Sequence, residues 1–132
     1  TGAWTYFLDE DIEVTLEGAI WALTQNGGDA LGLNPAVIFR WHFAHSETKS
    51  WTAFADIGIG LLVSSERVPA GGTELNFTPR VGVGFTHEIP GTNARLQAGL
   101  RWHHISNARI RGQERNPARD APMLFFGLIF PL

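Results

Sequence analysis

Hydrophobic and polar positions alternate with a period of two along most of the chain. That is the pattern of strands whose two faces meet different surroundings. Over 30–44, Leu31, Leu33, Val37, Phe39, Trp41 and Phe43 share one parity. Gly32, Asn34, Ala36, Arg40 and His42 share the other, with Ile38 as the exception. Over 51–65, Ala53, Ala55, Ile57, Ile59, Leu61 and Val63 oppose Thr52, Asp56, Gly58 and Gly60. Over 73–88, Leu75, Phe77, Val81, Val83 and Phe85 oppose Asn76, Thr78, Arg80, Gly82, Gly84 and Thr86. Turn clusters at Asn26-Gly27-Gly28-Asp29, His45-Ser46-Glu47, Pro69-Ala70-Gly71-Gly72 and Pro90-Gly91-Thr92-Asn93 separate such stretches. The pattern predicts strands over 2–8, 12–24, 30–44, 51–65, 73–88, 92–106 and 121–131, with no helical stripe between them. Residues 1–132 therefore read as one all-β domain, an antiparallel up-and-down barrel with about seven visible strands.

Most of these strands reach the length of about ten residues that crosses a bilayer at a tilt. Two barrels fit the alternation. A soluble lipid-binding barrel puts the apolar face inside, and a transmembrane barrel puts it outside. The polar parity favours the membrane barrel. It is rich in Gly and Thr, with isolated charges at Glu13, Glu17, Arg40, Asp56, Arg80, Arg95 and Arg101. Small residues and mutually pairing charges suit a narrow lumen. A solvated face would use Lys freely, yet Lys49 is the sole lysine among ten cations. The mean hydropathy of -0.03 is the average expected of an apolar outer face and a polar lumen. Trp41, Trp51 and Trp102 fall near strand ends, where an aromatic girdle would lie.

The composition also excludes several chemistries. With no cysteine there is no disulfide framework and no thiolate chemistry. A net charge of -3 with no basic stripe gives no support for nucleic-acid binding. The histidines have no third ligand at a recognisable spacing, so neither a metal nor a cofactor is expected. Asp9, Glu10 and Asp11 read as a solvated turn. The start at Thr1 rather than Met suggests a processed chain.

Candidate chemistry lies at the end of the strand over 92–106. Parity puts His104 and Ser106 on the apolar face with Leu96, Ala98, Leu100 and Trp102. Arg95, Gln97, Gly99, Arg101 and His103 point the other way. Side chains two apart on one strand have Cβ atoms about 6–7 Å apart. An imidazole can therefore lean onto the hydroxyl, as in a base-activated serine. A site on the lipid-facing side suits a substrate that is itself a lipid. His103 and His42 read as lumen hydrogen-bonding residues, and His45 and His87 as surface residues.

The segment that follows is more specific. His104-Ile105-Ser106-Asn107-Ala108, then Asn116-Pro117-Ala118-Arg119-Asp120, then a last strand, resembles the signature of the lipid A 3-O-deacylases. Arg40-Trp41-His42-Phe43 and Phe77-Thr78-Pro79 are also similar to family segments. The resemblance implies an eight-stranded barrel in the bacterial outer membrane, among outer-membrane lipids, that acts on lipid A or lipopolysaccharide. It implies a serine esterase with Ser106 as nucleophile, His104 as general base, Asp120 as orienting acid, and Asn116 and Asn107 as oxyanion donors. Arg109, Arg111, Arg115 and Arg119 crowd the same loop and suit a phosphate-bearing headgroup. The chain departs from the pattern in three places. Asp120 stands where characterised members carry Glu, and Glu114 is a rival acid. Ala118 replaces the usual Gly, where a positive φ would be strained. The strand count is one short, so a strand before Thr1, a partner strand or a homo-oligomer is expected to complete the barrel. The alternative functions are an inactive structural or assembly-mediating barrel and a soluble lipid-binding barrel.

Overall fold

The computed structural model describes residues 1–131. It contains β1 (Gly2–Asp9), β2 (Ile12–Leu23), β3 (Ala30–His45), β4 (Trp51–Val68), β5 (Thr73–Phe77), β6 (Arg80–Glu88), β7 (Arg95–Ile105) and β8 (Arg119–Ile129). A single 3-10 turn, Gln113–Arg115, interrupts the last connection. All eight strands belong to one antiparallel sheet, in the order β1-β2-β3-β4-β6-β7-β8, with β5 also on β4. This is the predicted up-and-down meander. Among the described residues, no helix is long and apolar enough to cross a membrane.

The stretch 73–88, predicted as one strand, is two. Pro79 has no N–H, so the ladder is interrupted there. Thr78 keeps the chain in line by exchanging backbone bonds with Gly60 at 2.8 and 3.2 Å. Seven strands therefore form the continuous path, and the eighth element is the upper part of the fifth. Several strand ends also shift. β4 runs on to Val68, β8 begins at Arg119, and β7 begins at Arg95 because residues 89–94 close a turn through Ile89 N–H to Ala94 O. Strands β1 and β8 stand at the two ends of this pairing order.

The faces are inverted relative to a water-soluble protein. In β3, Ala30, Gly32, Asn34, Ala36, Ile38, Arg40 and His42 are buried, and the residues between them are exposed. Leu33 is 60% exposed while its neighbour Asn34 is 0%. Trp41, Ile57, Val83, Leu100, Leu124 and Phe126 are all exposed on the same outer surface. The soluble alternative needs the opposite arrangement, with its apolar face inside.

A continuous chain of ion pairs fills the polar side. Arg40 meets Glu13 at 3.2 Å and Asp56 at 3.3 Å. Arg101 meets Asp56 at 3.1 Å and Glu17 at 2.8 Å, and Arg80 meets Glu17 at 2.8 Å. Phe54 and Phe125 lie under the guanidiniums of Arg40 and Arg101. Arg95, predicted on the same face, lies apart and pairs with Glu88. The buried set therefore balances three carboxylates against three guanidiniums. Glycines make room for it. A Cβ on Gly82 would lie 2.6 Å from Asp56 Oδ1 and 2.7 Å from the Arg101 side chain.

Candidate active site

Strands β7 and β8 build the site. Their register sets His104 directly opposite Asp120 and Trp102 opposite Pro122. Side chains directly opposite in an antiparallel pair have Cβ atoms about 5 Å apart. An aspartate is therefore long enough. His104 Nδ1 and Asp120 Oδ1 are 2.7 Å apart, so the missing methylene does not break the pair. Glu114, the rival acid, is exposed in the 3-10 turn and makes no hydrogen bond to His104.

Ser106 lies just beyond the end of β7 and is held by its backbone. Phe77 N–H donates to Ser106 O at 2.7 Å, and Ser106 N–H donates to Phe77 O at 3.1 Å. His104 N–H donates to Pro79 O at 2.9 Å. The Phe77-Thr78-Pro79 segment thus extends the sheet alongside both residues. Ser106 is buried, whereas the His104 and Asp120 side chains are 39% and 49% exposed on the outer face. The Ser106 hydroxyl makes no hydrogen bond among the described residues.

The loop after Ser106 is clasped by Asn107, which is 2% exposed. Its Nδ2 donates to Thr73 Oγ1 at 3.2 Å and to Arg115 O at 2.6 Å. Its Oδ1 accepts from Arg109 N–H at 2.9 Å, and its own N–H donates to Asn116 Oδ1 at 2.8 Å. Both amide hydrogens of Asn107 are therefore occupied. Asn116 is anchored through its oxygen, and its Nδ2 makes no hydrogen bond among the described residues. The left-handed turn falls at Ala108 and Arg109, with φ of 52° and 63°, and not at Ala118. The strain anticipated at Ala118 does not arise, and Ala118 N–H donates to Asn116 O at 2.8 Å.

Arg109, Arg111, Arg115 and Arg119 are exposed and have no ion-pair partner among the described residues. His103 points into the polar interior, as predicted, against the edge of Trp21. Neither of its ring nitrogens has a hydrogen-bond partner, unlike the predicted role. His42 does hydrogen-bond, to Thr52 Oγ1 at 2.8 Å. The sequence reading missed Trp102, whose indole Nε1–H donates to Asp120 Oδ1 at 3.3 Å. Its shared parity with His104 was the available signal.

The model of the lipid A 3-O-deacylase (PagL) family matches residues 2–128. The chain belongs to the PagL family. No curated protein and no solved structure matched in the corresponding searches. PagL proteins are outer-membrane hydrolases that act on lipid A. The PagL match spans every strand of the sheet apart from the last residue of β8, so it covers the barrel as well as the loop that carries the motif.

Proposed function

We propose that the protein is an outer-membrane serine esterase that removes a 3-linked acyl chain from lipid A or a related acylated glycolipid. The observation that carries this reading is the His104–Asp120 pair on the apolar outer face, adjacent to Ser106. An intact pair of this kind argues against a purely structural barrel.

In this mechanism Ser106 Oγ attacks the ester carbonyl carbon while His104 Nε2 takes its proton. Asp120 holds the ring through Nδ1 and stabilises the imidazolium. The free amide hydrogens of Asn116 suit the developing oxyanion. Asn107, with both hydrogens taken, acts by fixing the loop. His104 then returns the proton to the leaving sugar hydroxyl, and the acyl chain stays on Ser106. Water, deprotonated by His104, attacks that ester, and His104 passes the proton to Ser106 Oγ as the fatty acid leaves.

The surroundings suit such a substrate. A shallow, open depression on the outer face is lined by Val81, Val83, Leu100, Trp102 and Pro122, and Trp102 also touches Asp120. It offers an apolar track for an acyl chain. The unpaired Arg109, Arg111, Arg115 and Arg119 suit the phosphates of the headgroup. In a bilayer the outer edges of β1 and β8 need hydrogen-bond partners, and a further strand seated between them belongs to this proposal.

The test is mass spectrometry of lipid A incubated with the protein in detergent. Wild type is expected to remove one 3-linked chain, whereas Ser106→Ala and His104→Ala leave all chains in place. Lipid A that keeps every chain with wild type sinks the esterase reading. Activity retained in either variant sinks the assigned roles.

A further inference from the structure

The Asp120 carboxylate has two donors, and only one of them belongs to the catalytic set. His104 Nδ1 and Trp102 Nε1 both reach the same oxygen, Oδ1, at 2.7 and 3.3 Å. The register explains why. His104 is directly opposite Asp120, and Trp102 is its diagonal neighbour two residues back on β7. Period-two geometry gives both the same outward face. A diagonal neighbour touches only if its side chain is long, and an indole is long enough.

We propose that Trp102 is a positioning residue: its indole N–H fixes the orientation of the Asp120 carboxylate and so the tautomer and tilt of His104. The proposal rests on the esterase reading above. Asp120 is half-exposed at the start of β8, and among the described residues no backbone N–H holds its carboxylate. Its carboxylate rotates about a soft terminal torsion. A single contact with His104 leaves that rotation free. A second donor on a rigid ring, with no acceptor to compete, removes it. The short reach of an aspartate makes this useful, because a rotated Asp120 has no spare length with which to recover the imidazole.

Trp102 also lines the outer depression, so loss of activity alone would not separate positioning from acyl-chain packing. A double-mutant cycle does. Trp102→Phe keeps the aromatic surface and removes the donor. It is expected to lower kcat about tenfold and to leave KM within about twofold, the scale of one hydrogen bond to a charged group. In an Asp120→Ala background the same change is expected to cost nothing further. A loss that adds in full to that of Asp120→Ala overturns the proposal, as does no loss in the single variant.

A second measurement needs no turnover. In the amide-nitrogen NMR spectrum, Asp120→Ala is expected to move the indole N–H resonance of Trp102 and to leave the other four tryptophans in place. An unmoved Trp102 resonance overturns the contact itself. If wild type releases no fatty acid but the resonance moves, the esterase reading fails and takes the catalytic use of Trp102 with it, while the contact stands.

Discussion

At the scale of single residues, chemistry depends on which side chains the β7–β8 register makes opposite. Asp120→Asn preserves the shape of the His104 partner but presents the wrong hydrogen-bonding group to Nδ1. It is expected to lower kcat by about 10⁴, as for the equivalent change in other hydrolytic triads, read as acyl release from lipid A. Activity close to wild type would mean that another group orients His104. Parity predicted that His104 and Ser106 share the apolar face; His104 lies on it, partly exposed, whereas Ser106 falls just past the end of β7 and is buried. The aspartate was legible only through the family signature. Whether it reached His104 depended on a cross-strand register that no local pattern contains. Trp102 escaped for the same reason: its partner lies eighteen positions away in sequence.

At the scale of elements, the loop between β7 and β8 is solvated but pinned at its base. Asn107 ties it to Thr73 and to Arg115 O. Asn107→Ala leaves Arg115 O and the Arg109 N–H without these bonds. It is expected to lower kcat at least tenfold while the barrel keeps its resistance to detergent. A variant of unchanged kcat would show that the clasp is dispensable. The four arginines on the same loop call for a different measurement. Replacing Arg109, Arg111, Arg115 and Arg119 together by Gln should raise KM severalfold for lipid A carrying phosphates, and much less for its dephosphorylated form. Equal effects on the two substrates would remove the headgroup role. The sequence reading found these strands to within a few residues. It missed the break at Pro79, because period two continues through 73–88 and only the loss of one N–H divides it.

At the scale of the whole molecule, the polar interior is a neutral ion network in an inside-out sheet. Breaking it from one side is costly, because a buried charge left without its partner cannot be rehydrated. Arg101→Met takes one of two guanidiniums from each of Asp56 and Glu17, leaves three buried carboxylates against two guanidiniums, and is expected to cost about 3–5 kcal/mol. The check is the temperature at which heat-modifiable migration in detergent is lost. A temperature unchanged within a degree or two would show that water reaches the network.

The sequence by itself determined that this is a β-protein with an apolar and a polar side to every strand. It also located the histidine, serine and arginines that suit an acylated, phosphorylated lipid. Periodicity and short motifs are local, so they survive in one dimension. The tertiary structure alone decided which side is the interior and that three arginines, not four, balance the buried acids. It also decided that an aspartate suffices opposite His104 and that an indole shares that aspartate. Each of these depends on pairings between strands, which depend on register and not on neighbours in the chain.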